Sequence, residues 1–364
     1  MVRIKRYKLS ELLIFVDSSA YNSMDIVPIS RHRAKSYVHN PRANPDDVVL
    51  YMAYIDEEMV GYRTLLPDTV FINDETHRVA WLSGNWVNPK LRRKGIASAL
   101  FSEAFADWNG KLLFTNYALE SKAVYDKTER FSLIQSSRGV RLYLRPCLLA
   151  ILSKKGKAFR FLNPLWRILD ALLWLVNPLP LFARLFKMDG VRFEYLPSPD
   201  DGVAMMFEQT TANSPSQRKR QELEWIIGNP WLVSSPLVDM IGQKYFFSSS
   251  PKRFVQSIVK VYHKGKPLGF VMINAADGAV SVPYVSCSAE HALLFAKIIV
   301  KHSMAIGANR LTVYNPQIAD SMRGLKPFSM LSRTQYRNYF ATKSLSTQLG
   351  NKTFLEGDGD CVFV

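Results

Sequence analysis

Apolar positions along the first 145 residues change period several times, which predicts helices alternating with strands. Residues 9–17 (LSELLIFVD) and 30–39 (SRHRAKSYVH) repeat at helical spacing. VVLYMAYIDEEMVGYRTLLP holds two apolar runs split by Asp56-Glu57-Glu58, the pattern of a β-hairpin. RVAWLSGNWV predicts a third strand, ended by Asn88-Pro89, and LRRKGIASALFSEAFADW an amphipathic helix with Ile96, Ala99, Leu100 and Phe105 on one face. KLLFTNYA, SKAVYDKTERF and RGVRLYLR continue as strand, helix and strand. After residue 190 the order returns. RFVQSIVKVYHKGKPLGFVMINAADGAVSVPYVSCS contains three strand-like runs, HALLFAKIIVKHSMAIGA a helix and RLTVYNP a strand, and the remainder is expected as a helix followed by a terminal CVFV strand. Element order repeats while residue identity does not, so any duplication is old.

A chain of 364 residues favours two domains. The pattern divides it into an α/β unit over 1–145, a connector over 146–190 and a second α/β unit over 191–364. The connector's longest uncharged run, Ala171 to Ala183, is 13 residues and contains Pro178 and Pro180. A membrane-spanning helix needs about 20 apolar residues, so this run does not span. Leu165, Ile168, Leu169, Leu172, Leu173 and Val176 recur at helical steps. Two readings follow: a helix packed on one or both domains, which is preferred, or an interfacial anchor with Trp166, Trp174 and nearby basic residues at an anionic lipid surface.

Composition narrows the function. With 48% hydrophobic and 21% charged residues the chain is globular, excluding disorder and collagen-like repeats. Three scattered cysteines (Cys147, Cys287, Cys361) exclude a disulfide framework and a thiolate zinc site, and no metal is expected. They suit a reducing compartment. The N-terminus does not read as a cleaved signal peptide. The expected location is therefore the cytoplasm, with peripheral contact at the inner face of the membrane as an alternative. There are 47 Lys and Arg against 31 Asp and Glu, a net charge of +16, which favours anionic partners. Between Arg141 and Arg192 ten basic residues face two Asp, a net of +8, so half the excess lies in or beside the apolar connector.

The candidate chemistry lies in WLSGNWVNPKLRRKGIASALF. A strand ends at Val87, a turn follows, and a helix opens around Arg92 to Ala97. A helix start has unpaired N–H groups and partial positive charge, which suits an anion. Gly95 permits close approach, and Arg92, Arg93 and Lys94 supply countercharge, so a pyrophosphate is the natural guest.

This string resembles the acetyl-CoA-binding motif of the GNAT superfamily of N-acyltransferases, whose signature is Gln/Arg-x-x-Gly-x-Gly/Ala after a strand ending Val-x-Pro. Arg92, Gly95 and Ala97 fill it, and Val87-Asn88-Pro89 precede it. The family's downstream Tyr-x-Lys-x-Gly-Phe is approximated by Tyr125-Asp126-Lys127-Thr128-Glu129-Arg130-Phe131, one residue longer and without the glycine. The resemblance implies two GNAT-like domains, each a mixed, mainly antiparallel sheet flanked by helices, joined by the basic apolar helical connector. It implies acetyl-CoA as acyl donor. Asn85, Trp86 and Val87 would pair with pantetheine, and the amides of Arg93, Lys94, Gly95, Ile96, Ala97 and Ser98, beside Arg92, would hold the pyrophosphate. Tyr125 would protonate the leaving thiolate.

The carboxylate that many members carry on the central strand is missing from RVAWLSGNWV, so the base is open. Ser83 or Asn85 could order a relaying water. His77 reads as structural, Asp74 and Glu75 as a solvated turn, and Asp358 and Asp360 as a tight turn or acceptor contact. The second unit offers PYVSCSAEHALLFAK in the corresponding place, without the signature and with Glu290 where a phosphate would sit, so it is expected not to bind CoA. Its expected role is to shape the acceptor cleft or mediate a homodimer. Cys287 reads as core.

The expected function is acetyl transfer to a primary amine, with an amino sugar of bacterial surface polysaccharide synthesis as the acceptor suggested by the tandem architecture. The alternatives are a Fem-type aminoacyl transferase using aminoacyl-tRNA and a non-catalytic membrane-surface scaffold. Nucleic acid is not the expected partner, because the CoA signature is intact.

Overall fold

The computed structural model describes all residues except 1, 74, 116–118, 154, 237–238, 248–249 and 364, with the backbone alone at 119–123 and 150. In chain order the elements begin β1 (Arg3–Lys8), α1 (Leu9–Val16), α2 (Ser19–Asn22), α3 (Arg31–Val38), β2 (Val48–Ile55), β3 (Glu58–Ile72) and β4 (Glu75–Val87). Next come α4 (Ile96–Asp107), β5 (Leu112–Thr115), α5 (Leu119–Thr128), β6 (Phe131–Tyr143), α6 (Leu148–Leu152), α7 (Lys157–Phe161), α8 (Asn163–Leu175) and α9 (Leu179–Arg184). The remainder is β7 (Val191–Leu196), α10 (Asp201–Thr211), α11 (Arg220–Gly228), β8 (Phe254–His263), β9 (Lys266–Ala276) and β10 (Ala279–Ser286). It ends with α12 (Ala292–Ile306), β11 (Arg310–Val313), α13 (Pro316–Gly324), β12 (Ser332–Thr342) and α14 (Lys343–Leu349).

Contacts gather these elements into two compact units that interleave along the chain. Unit 1 comprises residues 1–136, 197–252 and 337–364, and unit 2 comprises 137–196 and 253–336. This differs from the linear division at 145 and 190. The reason is long-range: residues 197–252 and 337–364 carry Arg218 and Asp358, buried charges whose partners lie in unit 1.

In unit 1 the strands run in the order β1-β2-β3-β4-β5-β12. Neighbours are antiparallel except β4 and β5, which are parallel through Ala80↔Leu112 and Trp81↔Leu113. The β3–β4 register shifts between Thr64 and Leu65, which pair with Gly84 and Leu82. Ser83 is the extra residue, and such a bulge re-aims the side chains beside it. Apolar residues of α4 (Ile96, Leu100, Phe101, Ala104) pack with Tyr51, Leu65, Ala80, Leu112 and Tyr125 in one core. In unit 2 the order is β6-β11-β10-β9-β8-β7, and the parallel pair is β10–β11. Its core gathers Phe295 and Ile299 of α12, Val271, Leu311, and Leu179 and Ala183 of α9. Three successive antiparallel strands, a helix and a parallel strand thus recur in both units, the repeat expected from element order.

Three expectations are corrected. β1 and β12 are strands that the apolar pattern does not announce, since RIKRYK and SRTQYRNYFAT are mostly polar. CVFV is not a strand: Gly359–Phe363 is a 3-10 turn, because Phe363 stacks on Trp231 at 4.4 Å and meets Trp225 edge-on at 5.1 Å. The helix expected from LRRKG begins at Ile96, since Pro89–Leu91 forms a 3-10 turn and Arg93 and Gly95 take φ of +67° and +79°. Among the described residues no helix is long and apolar enough to cross a membrane.

Gly359, at φ +68°, passes so close to Trp81 that an added Cβ would lie 2.7 Å from the indole. Gly359→Ala should destabilise the protein by about 1–3 kcal/mol through strain and overpacking, read as a lowered urea midpoint at unchanged m.

Candidate active site

Pairing of β4 with β5 stops at Trp81↔Leu113 among the described residues, although β4 runs on to Val87 and β5 to Thr115. The two strands fork there, and the C-terminal turn sits at the fork. The Ser83 hydroxyl, on β4, donates to Asp360 Oδ2 at 2.7 Å, and Thr115 Oγ1, at the end of β5, lies 3.5 Å from Asp360 Oδ1. Behind Ser83 stands Arg33 of α3, buried, donating to Ser83 Oγ at 2.7 Å and to the Tyr245 and Tyr37 hydroxyls at 2.7 and 3.0 Å. Its guanidinium stacks 3.9 Å from the Trp231 ring centre. Burial pushes the Asp360 carboxyl above the ordinary aspartate value of 3.8, against the opposing pull of Ser83 and Arg33. Asp360 as a residue is half-buried, at the fork between β4 and β5. A carboxylate raised above the usual aspartate value is a better proton acceptor than a free one.

Asp358 behaves differently. It is fully buried and accepts from the Ser214 and Ser216 hydroxyls at 2.8 and 2.7 Å and from the Leu355 N–H at 2.7 Å. It anchors the tail. The two aspartates of EGDGD therefore divide: one holds the turn and the other faces the fork.

The residues from Arg92 to Ser98 form the loop and first turn that lead into α4. Gly95 precedes α4 with no side chain capping the helix, and an added Cβ there would meet nothing within 4 Å. Left-handed Arg93 and Gly95 turn the loop into the helix start, an arrangement of backbone N–H groups that favours anions. Arg92, Arg93, Lys94 and Ser98 are exposed, whereas Ile96 is buried in the core and fixes the helix beneath them. The observed cradle fits a pyrophosphate.

Trp86 is buried and stacks on Tyr62, with ring centres 5.7 Å apart, while Val87 packs on the α4 core. Asn85 pairs across the sheet with Arg63, and Asn85 Oδ1 has no partner among the described residues. Tyr125 is buried with its ring stacked on Phe114 at 4.5 Å, and its hydroxyl receives a hydrogen bond from Arg63 Nη1 at 3.1 Å. Arg63 is 1% exposed, and its Nε and Nη2 lack partners among the described residues. Glu129 takes φ +51°, so this glutamate adopts the left-handed turn for which the motif normally keeps glycine.

His77 lies six residues before Ser83 on β4, beside exposed Glu75 at 3.7 Å, and is not brought to the fork. Asp74 and the end of KLLFTNYA lie outside the described residues. Cys287 packs against the unit 2 core, where burial pushes its thiol up to about 11. Among the described residues no group of three or more His, Cys, Asp or Glu could hold a metal. The start of α12 has exposed Glu290 and His291 at the N-cap, where α4 has Gly95.

Sequence reasoning missed Arg33 and Arg63 and left Asp360 without a catalytic role. An arginine inside the apolar run VGYRTLLP was the available signal for Arg63. Nothing local marks Arg33.

Residues 20–117 match the Acetyltransferase (GNAT) family. Those residues form a GNAT domain. No curated protein matches the sequence significantly. Among solved structures, Saccharomyces cerevisiae N-myristoyltransferase with bound myristoyl-CoA is 10% identical at a TM-score of 0.54, covering 94% of this chain and 82% of that one. A conserved Enterococcus faecalis V583 protein, named as a probable N-acyltransferase, is 12% identical at a TM-score of 0.50, covering 94% and 72%. These likenesses show the fold: tandem GNAT-like units. With its GNAT domain the chain is an acyl-CoA-dependent acyltransferase, whose family donor is acetyl-CoA.

Replacing Gly95 by Glu puts a carboxylate into the cradle. Gly95→Glu should abolish acetyl-CoA binding in calorimetry while leaving a cooperative thermal transition, whereas Gly95→Ala should retain binding with a modest loss. Unchanged affinity in Gly95→Glu would remove the phosphate-site assignment.

Proposed function

We propose that the protein transfers an acetyl group from acetyl-CoA to a primary amine, with Asp360 as general base. The observation that carries this reading is the Asp360 carboxylate at the β4–β5 fork, hydrogen-bonded to Ser83 and raised by burial. The α4 N-terminus, with Arg92, Arg93, Lys94, Gly95, Ile96, Ala97 and Ser98, would hold the pyrophosphate, and the Asn85, Trp86 and Val87 backbone would line the pantetheine. Bound acetyl-CoA supplies the thioester carbonyl.

In this scheme Asp360 takes a proton from the acceptor nitrogen as the C–N bond forms. Ser83 and Arg33 hold the carboxylate in place and limit its rise in basicity. Tyr125 gives its hydroxyl proton to the sulfur as the C–S bond breaks. Arg63, donating to that same oxygen, faces the negative charge left on it. The carboxylate missing from the central strand is thus replaced by one from the C-terminal turn.

The acceptor class is an amino sugar of surface polysaccharide synthesis, supported by the resemblance of the tandem architecture. An intact anion cradle weighs against the aminoacyl-tRNA and scaffold alternatives.

Asp360→Asn should lower kcat by about 10²- to 10⁴-fold at unchanged acetyl-CoA affinity, measured by thiol release with a panel of amino sugars and alkylamines. The base must be ionised, so wild-type kcat/KM should fall as pH drops through the raised Asp360 pKa, and the Asn variant should lose that acid limb. Full activity in Asp360→Asn would reject the base. Tyr125→Phe should lower kcat with little change in acetyl-CoA affinity, and an unaltered kcat would dismiss its acid role.

A further inference from the structure

Unit 2 carries an apolar surface that its own core leaves uncovered. The sequence favours packing for the connector helix, yet α8 contributes no buried side chain. Leu165, Ile168, Leu172 and Leu175 follow one another at steps of three and four residues, which places them along one side of the helix. They are 44–75% exposed, and Phe161, at the end of α7, is 86% exposed. A continuous row of this kind exceeds the scattered apolar exposure normal for a protein surface.

This row is held firmly. The Asp170 carboxylate accepts from the backbone N–H groups of Leu148 and Leu149 at 2.7 and 3.0 Å, tying α8 to α6. Trp166 Nε1 donates to the Phe159 carbonyl at 2.9 Å, joining α8 to α7. At the far end Asn177 donates to the Leu144 carbonyl at 3.0 Å, and Leu179 and Ala183 of α9 enter the unit 2 core.

The exposed charge of the segment is mainly positive. Lys155, Lys157, Arg160, Arg167, Arg184 and Lys187 are all exposed. Asp170 and Asp189 are the only acidic residues between Arg141 and Arg192, and Asp170 is engaged in capping α6. A second copy would set one cationic segment against another, which Coulomb repulsion disfavours. An anionic bilayer answers both features at once, since acyl chains take the apolar row and headgroups take the cations. At 13 residues, α8 is about 20 Å long, so it fits the interfacial plane and is too short to cross.

We propose that the α6–α9 segment docks unit 2 on an anionic lipid surface, with the apolar side of α8 inserted below the headgroups. The inference does not depend on the acyl-transfer chemistry of unit 1. The test is flotation of the full chain with phosphatidylcholine vesicles, with and without about one third phosphatidylglycerol. Flotation is expected with the anionic vesicles, weakened by high salt, and absent with phosphatidylcholine alone. Ile168→Asp combined with Leu172→Asp should abolish it while acetyl-CoA affinity and thermal midpoint stay at wild-type values. Lys155→Gln, Lys157→Gln and Arg160→Gln together should weaken vesicle affinity roughly 100-fold, about a factor of five per charge. The proposal is overturned if folded wild-type protein fails to float with anionic vesicles, or if the double Asp variant floats equally well. It is also overturned if sedimentation shows a dimer dissolved by that variant without vesicle binding, which would assign the face to a second copy.

Discussion

Unit 1 depends on a set of charges shut away from water. Asp68 of β3 accepts from Arg42 at 3.0 Å and from Arg218 at 3.3 Å, while Arg42 also reaches Glu222 at 3.0 Å. Arg218 continues the chain of charges to Asp358, at 3.6 Å. Burial alone would raise the Asp68 carboxyl, but Arg218 and Arg42 hold it below the usual aspartate value. A buried charge without its partner is strongly destabilising, so each member keeps the others in place. The network ties a strand of the N-terminal region to the middle of the chain and to its last residues. Two residues beyond Asp358 the backbone delivers Asp360 to the fork. A chemical group at the site is thus positioned by electrostatics buried behind it.

That dependence explains what could and could not be read from the sequence. Arg92-x-x-Gly95-x-Ala97 was legible because its chemistry is local: one strand end, one turn and one helix start within a dozen residues. The two-unit order of strands and helices was legible for the same reason, since period changes are short-range. The placement of Asp360 was not, because its partners Ser83 and Thr115 are distant in sequence and meet it only after folding. Arg33 is equally silent, as its partners Ser83, Tyr245 and Trp231 are all remote. The strand expected at CVFV failed because the aromatic clamp of Trp225 and Trp231 on Phe363 outweighs the β propensity of a four-residue run. Interleaving of the units is invisible to any linear scan, because contacts between distant segments make it, among them the β5–β12 pairing and the ion pairs of Arg218.

The two units show which parts of the repeated frame belong to chemistry and which to folding. Both retain the antiparallel strands, the helix and the parallel strand, and both bury that helix through large apolar side chains such as Phe101 and Phe295. They part at the helix start. In unit 1 a left-handed glycine opens α4 with exposed cations around it; in unit 2 His291 precedes α12 and Glu290 is exposed nearby. Both helices still bury their first residue, Ile96 in one and Ala292 in the other, so the two different starts carry the same packing. The frame can therefore keep its fold while one copy loses the features that suit a phosphate.

The distribution of charge follows the same division. The cations at the start of α4 in unit 1 are few and sit where a helix already favours an anion. Those of the α6–α9 segment are spread over a surface with no helix terminus to focus them, and they flank an apolar row that no core side chain covers. The two arrangements differ as a site for a compact anion differs from one for an extended charged surface. Half of the net charge of +16 lies in or beside a segment with exposed leucines and isoleucine, side chains that a phosphate backbone could not use.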